Sequence, residues 1–279
     1  MSRVSPNGLR LLPLPPVHPH KGEPLLRRIL ITNDDGYDAP GIQLLAELAA
    51  ELAEEVWIVA PATDQSGTAQ SVSLHQPIRC KPLAERHFAV RGTPSDCVLL
   101  GAFHLMPEKP DLLLSGINQG INMADTVGFS GTLGAALTAS LFDIPAIALS
   151  QAWKDRHNIH WDTPRRYTGA LIRQLLAEPL PGGMVTNINF PSVAPQQVSG
   201  IANASMNGQS LTGAGVDQRL DQRQQDYFWL SFQHHYRAVS DPNSDVNALR
   251  ERAISVSFIE RQLAQGLNPE LFSRFGQAG

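Results

Sequence analysis

The chain has 279 residues, 42% of them apolar and 17% charged, enough to bury a large core in one α/β domain with an accessory part. With 22 Lys plus Arg against 26 Asp plus Glu the net charge is -4, so no positive field holds a polyanion by counterion release, and nucleic acid is not expected as a partner. No apolar run reaches the roughly 20 residues of a membrane span, and Cys80 and Cys97 lack zinc-ligand spacing, which reads as reduced thiols in a cytoplasmic protein.

Residues 1–27 are rich in Pro and polar side chains and read as a loosely attached, flexible extension. Pro13, Pro15, Pro16 and Pro19 interrupt the apolar stretch that a signal peptide needs. A catalytic domain is expected over 28–200. It opens with a buried strand at Ile29-Leu30-Ile31, the turn Asn33-Asp34-Asp35-Gly36, and a helix with Pro40 in its first turn and Ile42, Leu45, Leu48, Ala49 and Leu52 on its core face. Val56 to Ala60 is a continuous apolar strand of the kind found in a parallel sheet covered on both faces.

Ser71 to Val90 reads as a hairpin. Thr93-Pro94-Ser95-Asp96 is a helix start, with the helix expected to run over Cys97 to Leu105. A third buried strand at Asp111 to Leu114 leads into Ser115-Gly116-Ile117-Asn118, and a Gly-rich loop precedes a helix near Thr132. Strand Ala146 to Leu149, helix Tyr167 to Ala177 and strand Val185 to Phe190 complete a Rossmann-like, three-layer α/β/α fold with a mostly parallel sheet. Beyond it, residues 201–279 read as a strand and helix extension serving assembly. Its strands, Tyr227 to Val239 and Ala253 to Ile259, are expected as β-hairpin pairs outside the main sheet.

Ligands of open parallel sheets bind beyond the carboxyl ends of the strands, and that rule selects three loops. They carry Asn33, Asp34 and Asp35; Asp64 to Gly67, with Ser66; and Ser115 to Asn118. A lone Asp-Asp-Gly is more often a turn and helix cap than a ligand pair. Two further polar loops at the same edge reverse that preference. Adjacent carboxylates repel, and a divalent cation resolves the repulsion. Hydroxyl and amide oxygens from Ser66 and Asn118 would complete an all-oxygen set suited to Mg or Mn rather than Zn. Ser130-Gly131-Thr132 before a helix offers backbone amides to phosphate. A cation beside a phosphate cradle suits phosphoester hydrolysis by water.

Several blocks resemble the SurE family of survival proteins and 5'-nucleotidases. They are Ile29 to Gly36 with Ala39-Pro40-Gly41-Ile42, Val59-Ala60-Pro61 with Ser66-Gly67, Gly92-Thr93-Pro94 with Asp96-Cys97-Val98, Ser115 to Gly120 with Asn122, Ser130-Gly131-Thr132 with Gly134-Ala135-Ala136, Ile144 to Ala148, and Asn187 to Pro191. The resemblance implies one divalent ion held by Asp34, Asp35, Ser66 and Asn118, with Asp34, Asp35 and Asn122 in the catalytic centre. It places Asn33, Gly67, Asn122, Ser130, Gly131 and Thr132 around the phosphate, and implies nucleoside 5'- or 3'-monophosphates as substrates. It also implies a homodimer or homotetramer with exchanged C-terminal strands. Ala202 to Met206 departs from the family, which usually has a basic residue there.

Polyphosphate hydrolysis or general acid phosphatase activity are the alternatives on the same residues. A receiver-like signalling module needs an acceptor Asp where this chain has Ser115 to Asn118. An aspartyl-phosphate phosphatase needs a second Asp two residues after the first, where Gly36 and Tyr37 stand. A dinucleotide fold needs a GxGxxG after the first strand, which is not present here.

Overall fold

The computed structural model describes residues 2–16, 23–178, 180, 183–208, 210–235 and 239–260. The chain starts with a short antiparallel hairpin of β1 (Arg3–Val4) and β2 (Arg10–Leu11). The central unit then runs β3 (Leu26–Thr32), α1 (Pro40–Ala49), β4 (Ala53–Pro61), β5 (Arg79–Ala84), β6 (His87–Arg91) and α2 (Pro94–Leu100). It continues with β7 (Leu112–Gln119), α3 (Gly131–Ser140), β8 (Ala146–Gln151), α4 (Asp162–Leu175) and β9 (Met184–Phe190). The last elements are β10 (Ile201–Asn203), β11 (Leu211–Leu220), β12 (Asp226–His234), α5 (Asp245–Arg250) and β13 (Ile254–Glu260).

Nine strands form one sheet in the order β10-β13-β9-β8-β7-β3-β4-β6-β5, antiparallel at the β13–β9 and β6–β5 joints and parallel elsewhere. This is the expected three-layer α/β/α arrangement, and alternation along the strands builds it. Ile29 and Ile31 of β3 pack with Ile42, Leu45 and Leu48 of α1 and Leu171 and Ile172 of α4. Leu30, between them, points to the opposite face and joins Val98 of α2 and Leu133, Ala135 and Ala136 of α3. Each fully buried Leu or Ile contributes about 1.5–3 kcal/mol, so these stripes dominate the stability of both layers. The chain leaves β3 for β4 on one side and returns to β7 on the other, so the crevice between β3 and β7 is the topological switch point.

Four expectations are revised. Ile254–Glu260 is not outside the main sheet but belongs to it, antiparallel to β9 with Val256 opposite Ile188. Its apolar-polar alternation is that of a surface strand, yet Ile254 to Ser257 are buried on both faces. Within Ser71 to Val90, only Arg79 onward is strand, and Pro82 is tolerated because β5 is the sheet edge. The helix after Thr93 is α-helical only to Leu100 and finishes in a π turn over Gly101–Leu105. Helix α4 starts at Asp162, ahead of the expected Tyr167, because Pro164 falls in its first turn, where its missing N–H costs nothing.

Within residues 2–16, which are mostly exposed, Leu9 and Leu11 are buried with Ala202, Ala204, Ala248 and Ala253. Of the expected strand Tyr227 to Val239, the part up to His234 does lie outside the main sheet, as β12 paired with β11 in a two-stranded arm, and 236–238 lie outside the described residues. Val216, Trp229 and Leu230 of this arm are 64%, 61% and 80% exposed, an apolar surface that a monomer rarely presents. Among the described residues, no helix is long and apolar enough to cross a membrane.

Candidate active site at the switch point

The turn after β3 is closed by its own first residue: Asn33 Nδ2 donates to the Gly36 carbonyl at 2.7 Å, and Gly36 supplies the positive φ of +101° that the turn requires. Asn33 Oδ1 is buried without a partner, although Asn33 is an expected phosphate ligand. Asp34 is 4% exposed and accepts a 2.6 Å hydrogen bond from Thr132 Oγ1 at the start of α3. Gly131 lies flat against it, where a Cβ would be 2.8 Å from Asp34 Cβ. Asp35 accepts the Gln119 amide at 2.9 Å.

Burial, and far less the charge of Asp64, pushes the Asp34 carboxyl up, against the Thr132 bond. Asp35 is raised to about 7, first by burial and then by the Asp34 charge, with the Gln119 amide opposing. A buried acid next to a half-buried one, held in this way, is frustrated as an anion pair. A divalent cation fits them, because each carboxylate has one oxygen fixed by the protein and a second to offer. Among the described residues, no three His, Cys, Asp or Glu side chains come together to hold a metal. An ion here would take the two carboxylates and would need neutral oxygens to complete its shell, of the kind Ser66 and Asn118 carry.

The loops carrying those two residues are brought to the pair by close backbone approaches. Gln65 N donates to the Asp34 carbonyl at 2.7 Å, and Ser66 N to Asp64 Oδ1 at 2.7 Å. The same loop sits directly on α3: a Cβ at Gly134 would fall 2.0 Å from the Ala69 carbonyl oxygen. Gly67, with φ +84°, turns in open space. On the other side, β7 kinks after Ser115, where its register with β8 shifts. Gly116 has φ +136°, and a Cβ there would lie 2.3 Å from the Leu149 oxygen. The kink pushes the Ile117 carbonyl onto Gly41, where a Cβ would be only 1.8 Å away. It thereby carries Asn118 and Gln119 over the start of α1, with Asn118 opposite Ser150 in β8.

Ser130 is the N-cap of α3, its hydroxyl accepting from Leu133 N at 3.0 Å. The first turn of α3 lies against the Asp34 carboxylate, which takes the Thr132 hydroxyl. Asn122 is buried in a polar network that the sequence reading did not foresee. Its Nδ2 donates to Ser150 Oγ at 2.8 Å, its amide to Asn189 Oδ1 at 2.9 Å, and its carbonyl accepts from Asn187 and Asn189 at 2.8 and 3.0 Å. The signal lay in Asn187-Ile188-Asn189, two amides on one face of a buried strand. Asp64, on the same loop as Ser66, carries a charge that reaches both Asp34 and Asp35.

Comparison with known proteins bears on this geometry. The family model for the survival protein SurE matches residues 29–212. The 5'-nucleotidase SurE of Brucella melitensis biotype 1 is 43% identical over 253 residues, covering 89% of this chain and 98% of the relative. That of Azorhizobium caulinodans is 45% identical over 233 residues, covering 82% and 91%. Among solved structures, the SurE protein from Aquifex aeolicus superposes with a TM-score of 0.75 at 28% identity, over 90% of this chain and all of that one (100%).

Proposed function

Since the chain belongs to the SurE family, we propose that it is a divalent-metal-dependent phosphomonoesterase that hydrolyses nucleoside 5'- and 3'-monophosphates to nucleoside and phosphate. The observation that carries the reading is the 2.6 Å bond from Thr132 to Asp34. It joins the acid pair to the N-terminus of α3, so cation ligands and phosphate-binding amides share one crevice. The names of the curated relatives support the nucleotide class.

In this reading Asp34, Asp35, Ser66 and Asn118 hold the ion, which when bound neutralises phosphoryl charge and activates a water. The chain's own residues do the positioning. Thr132 and the Gln119 amide fix the two carboxylates, each leaving an oxygen for the cation. The amides of Gly131 and Thr132, at the positive end of a ten-residue helix, hold phosphate oxygens. Asn33, Gly67, Ser130 and Asn122 surround the phosphate, with Asn122 immobilised by Ser150, Asn187 and Asn189. The exposed arm of β11 and β12 is assigned to exchange between subunits of a homodimer or homotetramer.

The test is a hydrolysis screen of nucleoside monophosphates, sugar phosphates and polyphosphate, after chelation and after adding Mg or Mn. Activity should vanish with EDTA and return with metal, nucleotides being the best substrates. Full activity in metal-free protein overturns the reading, and a preference for polyphosphate replaces the substrate class.

A further inference from the structure

Beside Asp35 lies an open cavity of about 300 Å3 whose walls include Tyr37, Asp38, Thr63, Asp64, Gln119 and Arg156. Arg156 is the only Arg or Lys among its described lining residues. It sits on the loop between β8 and α4, and that loop is tied to the site. Trp153 Nε1 donates to the Gln119 carbonyl at 3.1 Å, while the Gln119 amide holds Asp35 at 2.9 Å. Asp155 closes the turn, accepting from His157 N at 2.9 Å and from Asn158 N at 3.0 Å, with Arg156 at its tip.

The charge count gives this cation its task. Asp34 and Asp35 flank the crevice and Asp38 and Asp64 line the cavity, four carboxylates in all. A divalent ion offsets two of those charges, so an incoming phosphomonoester dianion still meets a negative field. An exposed Arg on a loop is usually only solvated. This one lines the same cavity as Asp35 and Gln119, and its planar fork suits bidentate contact with phosphate oxygens.

We propose that Arg156 is a substrate-binding residue that engages the phosphate group from the cavity side. The proposal rests on the phosphomonoesterase reading for turnover, but anion binding tests it separately. Binding of inorganic phosphate to the Mn-loaded protein, followed by calorimetry, should weaken roughly ten- to a hundred-fold in Arg156→Gln, the range of one lost charge-assisted hydrogen bond. Arg156→Lys should recover part of the loss, because the charge remains without the fork. With a nucleoside monophosphate as substrate, Arg156→Gln should raise KM more than it lowers kcat, and the rise of KM with added salt should be shallower than in the unmodified enzyme. Trp153→Phe, which keeps the ring but frees the loop from Gln119, should give a smaller effect of the same kind. Phosphate affinity within two-fold of the unmodified protein in Arg156→Gln overturns the proposal, as does a Mn-loaded protein that binds no phosphate. Weakened phosphate binding in a protein that turns over no phosphomonoester keeps this site and sinks the activity.

Discussion

Replacing Asp35 by Asn should make the metal-free protein more stable while destroying its activity. In the metal-free chain, burial and the neighbouring Asp34 raise the Asp35 carboxyl from 3.8 to about 7. A raised acid holds its proton in the native state where the unfolded chain has already lost it. Stability contributed by the protonated form is therefore present below about pH 4 and lost as pH rises toward 7. At about 1.4 kcal/mol per pKa unit, this shift costs about 4 kcal/mol near pH 8. The amide oxygen of Asn still accepts the Gln119 N–H, so the substitution removes the charge and keeps the bond. Thermal melts in EDTA should put Asp35→Asn roughly 10 °C above the unmodified protein at pH 8, with the two converging near pH 4. Adding Mg or Mn should raise the melting temperature of the unmodified protein, with little effect on the variant. The reasoning is refuted if metal-free Asp35→Asn melts no higher at pH 8, or if it keeps its phosphatase rate.

Two further outcomes follow from packing and from the arm. Gly41→Ala drives a methyl group into the Ile117 carbonyl, which cannot yield without moving the kink of β7, so urea denaturation should reveal a loss of several kcal/mol or no folded protein. Gly67→Ala meets nothing within 4 Å and should cost only about 1–2 kcal/mol for its left-handed backbone; equal losses for the two would refute the contact argument. Joining residue 210 to 235 by a short turn removes the arm, and light scattering should then give a monomer whose nine-stranded sheet is intact by circular dichroism. An unchanged molar mass would exclude the arm from assembly.

Much of the central unit was legible because its signals are local. Continuous apolar strands at Ile29 to Ile31 and Leu112 to Leu114 alternate with helices opened by Pro40 and by Thr93-Pro94, and this pattern specifies a doubly wound sheet. The paired acids announced the crevice because the strand-end rule places them there. What stayed hidden depends on distant partners. Ile254-Ser255-Val256-Ser257 alternates apolar and polar like a half-exposed strand, yet all four are enclosed, so β13 reads as a strand of some other sheet. Strand β11 has Gly213 and Gly215 and is exposed along both faces, so no periodicity marks it. Nor does the spacing of Asn122, Ser150, Asn187 and Asn189 foretell their network, which exists only because β8 and β9 lie side by side.

The arm of β11 and β12 leaves the sheet after β10 and rejoins it, past α5, at β13. It is a closed excursion and not a dangling end, so its two stems stay stitched into neighbouring rows of one fabric whatever the tip does. Evolution can lengthen, shorten or re-tile such a flap without resetting any strand of the body.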